Sequence, residues 1–132
     1  MAGLIVLDAS AIIALFDHTD SHHEWALKML RDTAAFDLAT STLTYAETLI
    51  HPTKAGKKNV FESAFAGLGV KVHPLLPGDA LDLADVRNQT SLRMPDAVVL
   101  ALAVKLGANI ATTDQELGKA ARKRKIGVFQ PG

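Results

Sequence analysis

Four carboxylates stand out for where they fall. Asp8 closes the apolar run 4–7, Glu47 lies within the helix expected after a second strand, Asp96 opens a long apolar helix, and Asp114 directly follows the short run 109–112. Brought together, such groups repel. At about 5.5 Å and an effective dielectric of about 20, each pair costs about 3 kcal/mol. Either their pKa values rise or a divalent cation sits among them. No lysine or arginine maps to the middle of the set. Oxygen-only donors suit Mg²⁺ or Mn²⁺, whereas zinc sites favour Cys and His. Mg²⁺ held by few carboxylates completes its shell with waters and substrate phosphate. That chemistry fits metal-assisted phosphodiester hydrolysis, with the ion lowering the pKa of a bound water and stabilising charge on the scissile phosphate.

The surrounding elements must bring these acids to one place, and the stretch 92–114 is the plainest. Pro95 suits the start of a helix, where its missing N–H is not needed. Residues 97–106 are apolar except Lys105, which predicts a buried helix. Gly107 fits the left-handed position past its end, and residues 109–112 form a strand running back. The helix start, with Asp96, then lies over the sheet edge where that strand finishes and Asp114 follows. In open α/β sheets that edge is where ligands bind.

The rest of the chain alternates in the same way. Residues 4–7 read as a central parallel strand. Ser10 is placed as the cap of a helix over 11–16, and Asp20 or Ser21 as the cap of another running to about Thr33 with Trp25, Ala26, Met29 and Leu30 at helical spacing. A strand over 36–40 follows, then a helix capped by Ser41 or Thr42, carrying Glu47 and stopping at His51 because Pro52 follows. Further expectations are a helix over 54–67 with Val60, Phe61, Ala64 and Phe65 on one face, a strand over 70–73, and a helix from Pro77-Gly78-Asp79 through Val86. A last helix over 115–124 and a strand over 126–129, less apolar than the central strands and a candidate edge, complete the chain. The pattern predicts one domain over 1–132, an α/β fold of three α/β/α layers around a mostly parallel sheet.

Composition narrows the function classes. Hydrophobic residues make up 48 % and charged residues 21 % of 132, enough for a core and too apolar for disorder. With no cysteine, neither disulfides nor thiolate metal sites arise. Residues 1–8 lack a basic stretch and end in an acid, so they read as a strand and not a signal peptide. No apolar run is long enough to span a bilayer, and a cytoplasmic protein is expected. Fourteen acids balance fourteen bases, so there is no global pull toward nucleic acid. The bases are nonetheless grouped, at Lys119, Arg122, Lys123, Arg124 and Lys125, and at Lys54, Lys57 and Lys58. Such groups either complement helix dipoles at helix ends or bind phosphate.

Each acid also has a purely structural reading. Glu47 matches a capping box with Thr44, although that leaves a very short helix before Pro52. Asp96 complements a helix start. Asp114 is a possible N-cap, as is Thr113 against Glu116. Asp8 has no evident structural partner. His18, His22 and His23 read as surface residues because a turn separates them. Trp25 reads as helix packing, and Trp25 and Tyr45 are too few for a base-stacking platform.

The segments Leu7-Asp8-Ala9-Ser10-Ala11, Ala46-Glu47, Met94-Pro95-Asp96-Ala97 and Thr112-Thr113-Asp114, in this order and at these separations, resemble the PIN-domain ribonucleases, and among them the VapC-like toxins of toxin–antitoxin pairs. The resemblance implies a Mg²⁺- or Mn²⁺-dependent endoribonuclease with Asp8, Glu47, Asp96 and Asp114 as its acidic quartet. It gives Ser10 and Thr112 as hydroxyls that orient a carboxylate or a metal-bound water, and Glu116 as an additional acid. It further implies an RNA substrate, a homodimer, and inhibition by a small antitoxin entering the acidic site. Two rival readings stand beside it. One is a non-catalytic acidic pocket for a basic peptide. The other is a phosphoaspartyl phosphatase or receiver domain, for which Asp8-Ala9-Ser10 lacks the second aspartate and the Thr112–Asp114 segment lacks a lysine.

Overall fold

The computed structural model describes residues 3–132; Met1 and Ala2, placed by the sequence in the first strand segment, lie outside the described residues. The sheet starts from β1 (Leu4–Leu7), whose last three residues are buried. It is flanked by β2 (Asp37–Ser41) and β4 (Asn109–Ala111), with β3 (Lys71–His73) and β5 (Val128–Phe129) at the edges. The order is β3-β2-β1-β4-β5 and every pairing is parallel. The sheet is thus wholly parallel, and the last strand is an edge, as its weaker apolar character suggested.

Helices cover both faces, which is what parallel strands require. Along β1 the side chains alternate. Val6 packs with Leu100, Ala103 and Leu117, while Ile5 and Leu7 pack with Ile12, Met29 and Phe65. One layer therefore contains α1 (Ala9–Phe16), α2 (His23–Asp32) and α4 (Lys58–Gly67). The other contains α5 (Ala80–Gln89), α6 (Met94–Leu106) and α7 (Gln115–Lys123). Helix α3 (Thr42–Lys54) leads out of β2 and contacts both α1 and α6. Three α/β/α layers result, as expected.

The strand order carries functional weight. The chain steps outward from β1 to β3 and then returns to the other side of β1 for β4. The reversal point lies between β1 and β4, and ligands in such sheets bind in the crevice beyond the strand C-termini there. This order also differs from the 2-1-3-4-5 order of receiver domains, which removes the receiver half of that rival reading.

Several local expectations shift. Helix α3 runs through Pro52 to Lys54 instead of stopping at His51. Proline's own φ is helical and only one N–H is lost; the last turn recovers bonds from Ala55 N to His51 O and from Lys57 N to Pro52 O. Helix α4 consequently starts at Lys58, after Gly56 turns the chain at φ 71°. Of its predicted inner face, Phe65 is buried and Phe61 half-buried, stacked with Tyr45. Val60 and Ala64 are exposed. Helix α6 is buried at Ala97–Leu100 and Ala103 but exposes Val104, so it is a partly covered surface helix. Pro77–Asp79 form a 3₁₀ turn before α5.

Gly107 ends α6 at φ 63°, ψ 38°, a conformation costing about 1–2 kcal/mol for a residue with a Cβ. Gly107→Ala is expected to lower unfolding free energy by that amount in urea titration, without altering the folded far-UV spectrum. An unchanged midpoint contradicts this role.

Candidate active site

The site is built on the reversal point. Asp8 follows β1, accepts no cap bond with its side chain although it precedes α1, and is 6 % exposed. Its Oδ2 accepts hydrogen bonds from Thr112 Oγ1 at 2.7 Å and Ser10 Oγ at 2.8 Å. Each hydroxyl has one proton, so both are committed to Asp8, and the 3.3 Å approach of the two hydroxyls to each other is not a further bond. The hydroxyl lone pairs serve the β4 exit: Ser10 Oγ accepts from Thr113 N at 3.0 Å and Thr112 Oγ1 from Asp114 N at 3.0 Å. Ser10 therefore does not cap α1 as expected. Its side chain reaches instead across the crevice from the first turn of α1.

Asp114 is the N-cap of α7. Its Oδ1 accepts from Glu116 N at 2.8 Å and Leu117 N at 3.1 Å. The structural reading of Asp114 is thus correct, and it is Asp114 and not Thr113 that caps. Capping occupies one oxygen only. Glu47 does not form a capping box with Thr44, because α3 starts earlier, with Ser41 Oγ accepting from Thr44 N at 3.0 Å. That start sets Glu47 in the second turn of α3. Asp96 lies in the first turn of α6.

The four acids act on one another. Burial first, then the charges of Asp8, Asp114 and Glu47, push the Asp96 carboxyl up to about 6, against the pull of Arg93. Burial and then the Asp8 charge raise Glu47. Burial raises Asp8; the Thr112, Ser10 and Ala9 hydrogen bonds lower it, and Asp114 adds to the rise. Asp96 is the hub, coupled to the other three.

No salt bridge among the described residues reaches any of these acids; the two found are Lys28–Asp32 and Lys105–Asp79. Among the described residues no three His, Cys, Asp or Glu side chains stand together as a formed ion cage. The donor set nonetheless fits a hydrated divalent ion. Both hydroxyls fall on Oδ2 of Asp8, and Oδ2 of Asp114 and the carboxyls of Asp96 and Glu47 accept no hydrogen bond from the described residues. Mg²⁺ is commonly bound through one or two carboxylates with waters completing its shell. Asp96, Asp114, Arg93 and Glu116 line an open cleft together, which places Glu116 on its wall.

Three contributors escaped the sequence reading. Arg93 flanks Asp96, and Ser91 lines the same cleft. Gln130 clasps the head of α7, donating to Asp114 O at 2.9 Å and accepting from Arg122 at 2.8 Å. A Cβ on Gly118 would collide with that amide. Neither pattern nor motif marks Gln130; only folding brings it to Asp114. His23 Nδ1 lies 2.7 Å from Ala14 O, and Trp25 packs between α1 and α2, so both serve structure.

Comparison with known proteins gives a consistent fold. The PIN domain family model matches residues 5–123. A comparison with curated proteins finds no match. Among solved structures, a toxin–antitoxin complex from Klebsiella pneumoniae matches with TM-score 0.73 and 20 % identity over 86 % of this chain and 89 % of that one. VapC20 from Mycobacterium tuberculosis, described as a sarcin–ricin loop cleaving toxin, matches with TM-score 0.73 and 19 % identity over 88 % and 94 %. FitAcB from Neisseria gonorrhoeae matches with TM-score 0.71 and 22 % identity over 95 % and 96 %.

The raised pKa of Asp96 has a defined sign. Folded Asp96 holds its proton up to about pH 6, unfolded Asp96 only to about 3.8, so its contribution to stability falls as pH rises between those values. In metal-free protein, the stability gained by Asp96→Asn is expected to grow from pH 4 to pH 6 and then level off. Urea midpoints across that range check this; a difference that shrinks with pH refutes it.

Proposed function

The chain belongs to the PIN domain family, a family of nucleases, and from that premise we propose that it is a Mg²⁺- or Mn²⁺-dependent endoribonuclease acting as the toxin of a toxin–antitoxin pair. The observation that carries this reading is the convergence of the acids beyond the C-termini of β1 and β4: Asp96 and Asp114 line one cleft, Thr112 Oγ1 ties Asp8 to Asp114 N, and the charges of Asp8, Asp114 and Glu47 all act on Asp96. Those four residues are the ones that would hold the ion. When bound, the ion lowers the pKa of a coordinated water and neutralises charge on the scissile phosphate.

The chain's own groups prepare this. Ser10 and Thr112 fix Asp8 through Oδ2, and neither hydroxyl bonds Oδ1. The α7 N–H groups fix Asp114 through Oδ1 and leave Oδ2 unused. Carboxylates held this way need little reordering on binding, which favours affinity. Asp96, with its pKa pushed up to about 6, is mostly ionised at pH 7 and fully so once a cation offsets its neighbours. Arg93, on the same cleft wall, is suited to a phosphate oxygen.

The toxin role, an antitoxin partner with a basic segment, a homodimer and a cytoplasmic setting belong to the same proposal. Structural likeness to a toxin–antitoxin complex and to VapC20 supports the toxin role and the antitoxin partner; the homodimer and the cytoplasmic setting rest on the family resemblance alone. Among the described residues no helix is long and apolar enough to cross a membrane.

Purified protein is expected to cleave RNA with Mg²⁺ or Mn²⁺ and to lose that activity in EDTA. Asp8→Asn or Asp96→Asn should abolish cleavage while circular dichroism shows the fold intact. Full cleavage by either folded variant refutes the site. No turnover with any divalent ion favours the alternative of a basic-peptide pocket.

A further inference from the structure

The bases of the last helix form a groove wall that the acidic site leaves unexplained. In α7, Leu117, Gly118, Ala120 and Ala121 are buried, while Lys119, Arg122 and Lys123 are exposed. A groove runs between this helix and the α5–α6 link, bordered by Gln89, Thr90 and Ser91 on one side and Lys119, Lys123 and Arg124 on the other. It opens into the cleft of Asp96 and Asp114, and the two share Ser91, Leu92 and Glu116.

Two features separate this groove from an ordinary solvated helix end. Helix-dipole complementation covers cations of the last turn, Arg122 and Lys123, but not Lys119 in the middle of α7. Among the described residues neither Lys119 nor Lys123 forms a salt bridge. Arg124 is held on the groove by two neutral acceptors, Gln89 Oε1 at 3.0 Å and Ala120 O at 3.3 Å, and among the described residues it forms no salt bridge. The chain as a whole is neutral, so this basic face is local.

We propose that this groove is the track on which a single-stranded RNA segment lies as it approaches the acidic site, with Lys119, Lys123 and Arg124 contacting successive phosphates. The proposal rests on the ribonuclease reading for its substrate class. From Asp114 to Lys123 the helix rises about 14 Å at 1.5 Å per residue. A stacked strand at about 3.4 Å per nucleotide covers that with about four nucleotides. These lysines bind the substrate backbone and take no part in the cleavage step.

The test measures anisotropy of a fluorescein-labelled, unstructured 15-nucleotide RNA in EDTA across a salt series, and KM and kcat for its cleavage with Mg²⁺. Lys119→Ala/Lys123→Ala is compared with Lys54→Ala/Lys57→Ala, which removes equal charge elsewhere. The groove variant is expected to bind about tenfold more weakly, with the slope of log affinity against log salt reduced by about 1.4. Its KM should rise about tenfold with kcat within twofold. Equal losses in both variants, an unchanged salt slope, or wild-type protein that binds no RNA overturns the groove. Reduced binding in the groove variant, with wild-type protein showing no cleavage, upholds the groove and refutes the nuclease.

Discussion

A carboxylate buried at the end of a central parallel strand is costly unless its charge is met, and in this protein Asp8 is that carboxylate. Its charge is met not by a cation but by two hydroxyls, one from the first turn of α1 and one from the residue after β4. The same hydroxyls accept the N–H groups of Thr113 and Asp114. The turn leaving β4 is thereby fastened to the turn leaving β1 through one oxygen of Asp8. Hydrogen bonds to a charged acceptor are the stronger kind, so the fastening holds best with Asp8 ionised, the state a cation would also favour.

The remaining acids are arranged around that point by ordinary helix chemistry. Asp114 is where α7 needs a cap, Asp96 is where α6 benefits from an acid, and Glu47 follows from a start at Ser41. None is out of place in its own helix. What is unusual is their summed repulsion, centred on Asp96. The fold tolerates it because the sheet and the flanking helices hold the backbone, with Ile5, Val6, Leu7, Leu100 and Ile110 fully or almost fully buried beneath the site.

Charge is sorted rather than accumulated. The net value is zero, yet acids line the strand ends and bases line the outer face of α7. Helix α7 joins the two, since its N-terminus is capped by a site acid and its exposed side carries lysines. Gln130 holds that junction by bonding both Asp114 and Arg122. The two signs of charge thus sit on adjoining parts of one helix.

Much of this was legible in the sequence. The alternation of short apolar runs with helical periods determined the α/β layers, and Pro95, Gly107 and the acids at run ends marked one sheet edge. These are local signals, carried by neighbouring residues in one element. Other features depended on contacts between distant segments. Ser10 looks like a cap until Thr112 and Thr113 arrive beside it, because a hydroxyl bonds to whatever its surroundings supply. Val60 and Ala64 share a helical face with Phe61 and Phe65, but the width of the covering layer, not periodicity, set which of them are buried. Pro52 was tolerated near the end of α3, where it forfeits one N–H bond while its own carbonyl still accepts from Lys57 N. The amino-acid order thus decided which elements form and which acids end them. Tertiary structure decided which oxygens stay unused and how strongly the acids repel, since burial and through-space charge exist only once the chain has closed.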